Sequence, residues 1–162
     1  MDGKEMLVKN SVDPSMAQNI RQTHPADILK RYFGFERFYE NQGEIIHSLV
    51  SGQDAFVLMP TGGGKSLCYQ IPAMIRPGVG IVISPLIALM QDQVDGLRQY
   101  GIKAHYINST MQSAEIQHVQ KKLASNEMDL LYIAPERIFI PDFLQRLKKA
   151  TISLFAIDEA HC

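Results

Sequence analysis

The feature that most constrains the fold is a repeated alternation of short apolar runs with helical patterns. Five runs rich in β-forming residues (AFVLM, GIVIS, AHYIN, LLYIA and LFAID) begin about 25 residues apart, and segments such as LIALMQDQVDGLRQY and AEIQHVQKKLAS fill the intervals. Continuous apolar strands alternating with helices predict an α/β fold, a parallel sheet with helices on both faces. Ligands bind beyond the carboxyl ends of such strands, so functional residues are expected directly after each run.

The 162 residues suffice for one domain with a substantial core. Residues 1–24 are polar and aperiodic and are interpreted as a loosely ordered tail, which leaves residues 25–162 for the folded domain. In HPADILKRYFGF, Pro25 favours a helix start and Gly34 a helix stop. A second helix is expected in NQGEIIHSLVSG, closed by Gly52.

Composition excludes several classes of protein. A net charge of −1 offers no bulk attraction for nucleic acid, although a local basic patch remains compatible with it. Cys68 and Cys162 are the two cysteines, and without CxxC spacing they support neither a disulfide framework nor a zinc site. No export signal or membrane-spanning run is evident, so a cytoplasmic protein is expected.

A glycine run after the first strand has the character of a phosphate-binding loop. In PTGGGKSLCYQIPA, the glycines Gly62, Gly63 and Gly64 allow backbone N–H groups to converge at the start of a helix. Lys65 could then reach the β and γ phosphates, and the Ser66 hydroxyl suits Mg²⁺. Met59 departs from the general pattern, which has Gly or Ala at that position. An ordinary glycine turn is the alternative interpretation.

Two carboxylates follow the last strand. At this position in an ATPase, Asp158 would orient Mg²⁺ through its water shell and Glu159 would activate the attacking water. The alternative is a pair of surface carboxylates, but the pair lies about 90 residues and three βα units after the phosphate loop, as catalytic carboxylates of such an enzyme would. His161 by itself is more often a packing or surface histidine than a functional one.

Three further signals are less specific. Ser84 is expected at a helix N-cap with Pro85 at the first helical position, which either caps the helix or offers amides to a nucleic-acid phosphate. Arg137, next to Glu136, either forms a structural ion pair or has a functional role. Upstream, the aromatic residues of YFGFERFYENQ together with Gln42 could stack on and read an adenine, or simply pack.

Taken together, these segments resemble the RecQ family of DExH-box DNA helicases. FGFERFYENQ is similar to the family's adenine-recognition motif, MPTGGGKSLCYQIPA to its Walker A motif, SPLIALMQDQV to motif Ia, YIAPER to the motif Ib region and DEAHC to motif II. The likeness covers about residues 25–162 in the family's order, and Met59 is common there. It implies the first RecA-like P-loop NTPase lobe of an ATP-dependent 3′-to-5′ DNA helicase, truncated after the Walker B strand.

The resemblance also implies a role for individual residues. Phe35 would stack on adenine and Gln42 would read it, although Tyr39 stands where the family usually has an arginine. His161 would help couple ATP hydrolysis to DNA binding. The implied binding loop runs through Thr61, Gly62, Gly63, Gly64, Lys65 and Ser66, the metal-orienting acid and the base are Asp158 and Glu159, and the single-stranded DNA path includes Ser84, Pro85 and Arg137.

The resemblance finally indicates what this segment lacks. In the family, a second RecA-like lobe supplies a catalytic arginine, and a strand that follows motif II lies between the Walker A and Walker B strands. Without that strand, the two catalytic halves are expected to have no common neighbour in the sheet, leaving exposed edges. Two hypotheses follow: the motor segment of a helicase, or a non-catalytic fragment that binds nucleotide weakly at most. An unrelated P-loop kinase would need a lid with catalytic arginines, which is not found.

Overall fold

The computed structural model describes residues 3–9, as backbone, together with residues 24–60 and 62–160. Strands and helices alternate through this part of the chain. The strands are β1 (Gly3–Lys9), β2 (Ala55–Pro60), β3 (Val79–Ile83), β4 (Ala104–Ile107), β5 (Leu130–Ile133) and β6 (Ile152–Asp158). The helices are α1 (Pro25–Ile28), α2 (Gln42–Val50), α3 (Leu67–Ile75), α4 (Ile87–Gln99), α5 (Ser113–Ala124) and α6 (Pro141–Lys149). A π-helical turn (Leu29–Phe33) follows α1, and a 3₁₀ turn (Pro135–Phe139) follows β5.

The strands form one sheet in the order β2-β1-β6-β3-β5-β4. Strands β6, β3, β5 and β4 run parallel; Ile81 of β3 pairs with Phe155 on one side and with Leu131 on the other. Strand β5 is buried along its whole length, as expected for a strand covered on both faces. All five strands expected from the apolar runs are present, and the prediction of an α/β fold with a parallel sheet flanked by helices is confirmed.

Strand β1 contradicts two expectations from the sequence, one about the N-terminal residues and one about the neighbours of β2 and β6 in the sheet. The sequence indicated a loosely ordered tail over residues 1–24, but Gly3–Lys9 form a strand antiparallel to β2 and to β6. Met6 pairs with Val57 on one side and with Asp158 on the other. The expectation that β2 and β6 share no sheet neighbour is therefore wrong. The physical reason is that β1 hydrogen-bonds the backbone edges that both strands would otherwise leave unpaired.

Helices pack on both faces of the sheet. On one face, α3 and α4 contribute Tyr69, Ala73, Met90 and Val94 to a cluster with buried residues of five strands, Val82 among them. On the other face, α5 and α6 contribute a second cluster, which contains Val119, Leu123, Phe143 and Leu147. A third cluster joins α1 and α2 to the outer side of α3. Helix α3 is consequently buried from two directions, and this fixes the phosphate-loop candidate at its start.

The first two helices end where the sequence indicated. The turn after α1 stops at Gly34, whose φ of 74° is a left-handed conformation that glycine adopts without a Cβ clash. Gly52, with φ of 91°, follows α2. No helix in the described part of the chain is both long and apolar enough to cross a membrane.

Candidate active site

The glycine loop lies between β2 and α3, at one end of the sheet. Gly62 and Gly64 have φ values of 82° and 72°, which side-chain-bearing residues rarely adopt. A Cβ on Gly63 would come within 3.0 Å of the Pro60 carbonyl oxygen. Glycine at these positions therefore permits a tight loop at the start of the nine-residue helix α3, with Ser66 at the N-cap position but without a side-chain capping hydrogen bond. Thr61 lies outside the described residues.

Lys65 directly follows this loop and is largely buried, at 9% exposure. Burial raises the pKa of the neighbouring Cys68 thiol to about 12, and the positive charge of Lys65 opposes that rise. The same charge acts on the Asp158 carboxyl, where it favours the ionised form. Lys65 thus contributes positive charge both to the end of the glycine loop and to the acidic end of β6.

Asp158 and Glu159 are buried at the end of β6, at 7% and 5% exposure, so the interpretation as a pair of surface carboxylates is wrong. The Glu159 backbone N–H donates to Asp158 Oδ1 at 3.0 Å. Burial raises the pKa of Asp158, the Glu159 charge raises it further, and the hydrogen bond from the Glu159 N–H opposes the rise. Glu159 has a φ of 56°, an uncommon conformation for a residue with a side chain and one that concentrates at functional sites. His161 is outside the described part of the chain.

A chain of buried hydroxyl and amide groups runs from Asp158 into the core. Tyr69 Oη lies 3.4 Å from Asp158 Oδ2 and 3.1 Å from Gln93 Oε1. Tyr132 Oη is 3.4 Å from Tyr69 Oη, and Gln70 Nε2 donates to Tyr132 Oη at 3.0 Å. Burial raises the pKa of both tyrosines, that of Tyr132 to about 12, so both hydroxyls stay protonated at neutral pH. Sequence reasoning missed this network, because its members are brought together only by the packing of α3 and α4 on the sheet.

Gln42, predicted to read an adenine, contacts the glycine loop. Its Nε2 donates to the carbonyl oxygens of Gly63 and Gly64 at 3.3 and 3.0 Å, and its Oε1 accepts from the Tyr39 N–H at 2.8 Å. The side chain is only 2% exposed, whereas Phe35 is 53% exposed and Tyr39 76%. The structure therefore joins the segment with the adenine-motif resemblance to the phosphate loop, and it leaves the Phe35 ring accessible for stacking.

Ser84 follows β3, but it is not the N-cap of α4. Its backbone N–H donates to the Ile133 carbonyl at 3.0 Å, so Ser84 continues the sheet pairing, and its Oγ accepts from the Leu86 N–H at 3.5 Å. Helix α4 begins at Ile87 with Leu86 as N-cap, two residues later than predicted, and Pro85 precedes it. Pairing with β5 holds Ser84 in extended backbone, and its hydroxyl closes a short turn instead of a helix end.

Arg137 lies in the 3₁₀ turn after β5. Its Nη2 donates to the backbone carbonyl of Asn108, which follows β4, at 3.2 Å. The carboxyl ends of β6, β3, β5 and β4 share one edge of the sheet, so Ser84 and Arg137 lie along the same edge as Asp158. The three strand ends that carried sequence signals thus meet on one side of the molecule.

The donor set at this edge fits a hard cation held together with phosphates. Within the described ranges, no group of three or more His, Cys, Asp and Glu side chains is placed to hold a metal ion by itself. Mg²⁺ in nucleotide sites usually takes one or two protein oxygens and completes its coordination with phosphate and water. The Ser66 hydroxyl and the Asp158 carboxylate are oxygen donors of this kind.

Comparison with known proteins agrees with this geometry. Residues 39–162 match the family model described as DEAD/DEAH box helicase. The chain belongs to this family of helicases.

Its curated relatives place it in the RecQ group. It is 45% identical over 149 residues to an ATP-dependent DNA helicase RecQ of Haemophilus influenzae, and the aligned region covers 92% of this chain and 24% of that protein. It is 48% identical over 136 residues to proteins of the same name from Pasteurella multocida (84% of this chain, 22% of the relative) and Bacillus subtilis (83% and 23%). The chain spans about a quarter of the length of these relatives.

Proposed function

We infer that the chain forms the first motor lobe of an ATP-driven, 3′-to-5′ DNA helicase of the RecQ type. The observation that carries this proposal is the meeting of a glycine loop, a buried lysine and a buried acidic pair at one edge of the sheet. Residues 25–162, completed by Gly3–Lys9 in the sheet, are the proposed lobe. The proposed location is the cytoplasm, where the buried Cys68 thiol stays reduced.

ATP is the proposed nucleotide. Amides of Thr61 to Gly64 and the Lys65 ammonium would surround its phosphates, with Phe35 against the adenine ring and Gln42 at its edge. The side-chain amide of Gln42 already donates hydrogen bonds to the Gly63 and Gly64 carbonyls. To bind an adenine edge, it would have to break these hydrogen bonds and form new ones with the base.

Mg²⁺ would be held by Ser66 and Asp158, and when bound it neutralises phosphate charge. The carboxylate of Glu159 would orient and deprotonate the attacking water, and its left-handed backbone, with a φ of 56°, is of the kind that concentrates at functional sites. Burial of both carboxylates favours this chemistry, because electrostatic interactions are stronger where water is excluded.

Single-stranded DNA is the proposed nucleic-acid partner, with duplex as the substrate of the whole motor. Ser84, Pro85 and Arg137 occupy one side of the sheet edge, where the guanidinium N–H groups of Arg137 that do not bond the Asn108 carbonyl can contact phosphates. His161 would couple this surface to the nucleotide. A second RecA-like lobe would supply the arginine that stabilises transition-state charge, and without it the chain would bind nucleotide weakly and turn it over slowly at most.

Binding of a fluorescent ATP analogue with Mg²⁺ tests the proposal. Lys65→Ala removes the buried ammonium and is expected to weaken binding by about tenfold or more, the size of one or more charge-assisted hydrogen bonds. Lys121→Ala removes an exposed lysine of α5 and is the matched control, with unchanged affinity expected. Equal affinity of the Lys65→Ala chain and the wild type would contradict the proposed site.

ATP turnover then separates the motor from a chain that only binds nucleotide. Hydrolysis that rises on addition of single-stranded DNA and is lost in Glu159→Gln supports the motor. Binding without turnover in the wild-type chain supports the non-catalytic alternative for this segment.

A further inference from the structure

Tyr69 connects two parts of the molecule that the proposed function uses separately. It lies on α3, fully buried, and its hydroxyl faces two acceptors: Asp158 Oδ2 at 3.4 Å and Gln93 Oε1 at 3.1 Å. Asp158 is the proposed metal-orienting carboxylate. Gln93 belongs to α4, which begins two residues after Pro85 of the proposed DNA-contact residues.

The number of protons in this network makes the two acceptors compete. Gln70 Nε2 donates to Tyr132 Oη, which leaves the Tyr132 proton for Tyr69 Oη. Tyr69 is then left with one hydroxyl proton of its own and two oxygens that can accept it. When Gln93 receives this proton, Asp158 Oδ2 does not.

We propose that Tyr69 is a positioning residue that makes the orientation of Asp158 depend on the position of α4. The hydroxyl stands nearer to Gln93, so this structure corresponds to donation towards α4. A movement of α4 that withdraws Gln93 transfers the donor to Asp158 and fixes that carboxylate for cation binding. A hydrogen bond with two alternative acceptors is a discrete two-state element, as coupling between sites requires. The inference rests on the proposed function, because it assigns metal orientation to Asp158.

The first experiment measures nucleotide affinity in four conditions: with Mg²⁺ or with EDTA, each with and without a short oligothymidylate. Tyr69→Phe keeps the ring and removes the hydroxyl. With oligothymidylate present, it is expected to reduce the gain in affinity from Mg²⁺ by about fivefold, as for one lost hydrogen bond, and to leave affinity in EDTA unchanged. Without oligothymidylate, where Tyr69 donates to Gln93, the Mg²⁺ gain is expected to equal that of the wild type. A merely structural role would lower both affinities alike, and that result would overturn the inference.

Two further variants test the dependence on α4. Gln93→Leu removes the competing acceptor, so its Mg²⁺ gain is expected to be high without DNA and to rise no further with DNA, unlike that of the wild type. Tyr132→Phe removes a buried hydroxyl of the same network but leaves the Tyr69 proton, and is expected to retain the wild-type Mg²⁺ gain. A DNA response in Gln93→Leu equal to that of the wild type would contradict the coupling.

A second experiment does not use nucleotide, so its outcome is separate from that of the proposed function. Denaturant midpoints are compared in two double-mutant cycles, Tyr69→Phe with Gln93→Leu and Tyr69→Phe with Asp158→Asn. Donation to Gln93 predicts non-additive midpoint shifts in the first cycle. The second cycle is made in the Gln93→Leu background, where the Tyr69 proton turns to Asp158, and its midpoint shifts are predicted to be non-additive there. Additive shifts in either cycle would overturn the inference. If both cycles are non-additive while Lys65→Ala binds nucleotide as the wild type does, the network stands and the proposed function fails.

Discussion

Gln42 Nε2 donates to the backbone carbonyl of Gly64 at 3.0 Å, so a side chain of α2 holds the end of the glycine loop. Gln42 is thereby buried against a residue with a φ of 72°. The contact joins two sequence segments that lie on opposite sides of β2 in the chain. The conformation of the loop and the position of α2 are consequently linked, and a substitution at Gly64 is expected to displace the Gln42 side chain.

The first prediction compares two glycines of this loop. A Cβ on Gly64 would collide with Gln42 Nε2, whereas a Cβ on Gly62 would meet no atom within 4 Å. Both have positive φ, so alanine at either is expected to cost about 1 kcal/mol or more in free energy of unfolding. Gly64→Ala is expected to cost more and also to displace Gln42. Urea unfolding of both variants checks this, and a larger loss for Gly62→Ala would contradict it.

The second prediction concerns the pH dependence of Asp158. Burial is the larger cause and the Glu159 charge the second of a rise in its pKa above 3.8. The Asp158 carboxyl is therefore protonated more readily in the folded chain than in the unfolded chain. Stability from this group is therefore fully present below pH 3.8 and is lost as the pH rises through the folded-state pKa. Asp158→Asn is expected to raise the denaturant midpoint at pH 7.5, by more than at pH 4.5. Asp92→Asn, at an exposed position of α4, is the control. The prediction fails if Asp158→Asn destabilises the chain more at the higher pH.

The third prediction concerns His105 on β4. Partial burial and the positive charges of Lys122 and Arg98 lower its pKa to about 4 from 6.5. Arg98 Nη2 donates to His105 Nδ1 at 3.2 Å, which places the ring proton on Nε2. For a histidine with a lowered pKa, stability is present at neutral pH and is lost as the pH falls from 6.5 towards 4. NMR titration of the His105 ring should give a midpoint near 4, and Arg98→Met should raise it. A wild-type midpoint near 6.5 would contradict the assignment.

The fourth prediction uses the contact between β3 and α3. A Cβ on Gly80 would lie 2.5 Å from Ala73 Cβ and 3.1 Å from Leu130 Cδ2. Gly80→Ala is therefore expected to destabilise the fold by about 1–3 kcal/mol through overpacking. Gly96 lies inside α4, with no atom within 4 Å of an added Cβ. Gly96→Ala is expected to stabilise by about 0.5–1 kcal/mol through helix propensity. Thermal unfolding of the two variants should give shifts of opposite sign.

Much of the fold follows from the sequence because its strongest signals are local. An uninterrupted apolar run such as Leu130–Ile133 predicts a strand covered on both faces, and the structure buries all four residues. Gly34 and Gly52 end helical segments because glycine adopts positive φ without strain. The positions of the glycine loop and the acidic pair could also be predicted, because ligand-binding residues of parallel sheets follow the carboxyl ends of the strands.

The features that sequence reasoning missed depend on partners distant in the chain. Ser84 was predicted as an N-cap from its immediate neighbours, but pairing with Ile133 keeps it in the sheet. The network around Tyr69 requires α3 and α4 to lie side by side, and no local pattern indicates which of their polar residues face each other. Residues 3–9 form a strand because β2 and β6 provide backbone edges for it. The sequence of residues 3–9 by itself did not predict a strand, because these two edges come from distant parts of the chain.

The position of β1 has a consequence for the order of folding. With neighbouring strands about 4.8 Å apart, one inserted strand sets a separation of about 10 Å between the axes of β2 and β6, which lead into the glycine loop and the acidic pair. That separation is created by pairing between residues from opposite ends of the described chain, such as Met6 with Asp158. Closing so long a loop is slow and entropically costly. We expect the helices and the β6-β3-β5-β4 sheet to assemble first, and the separation between the glycine loop and the acidic pair to be acquired last.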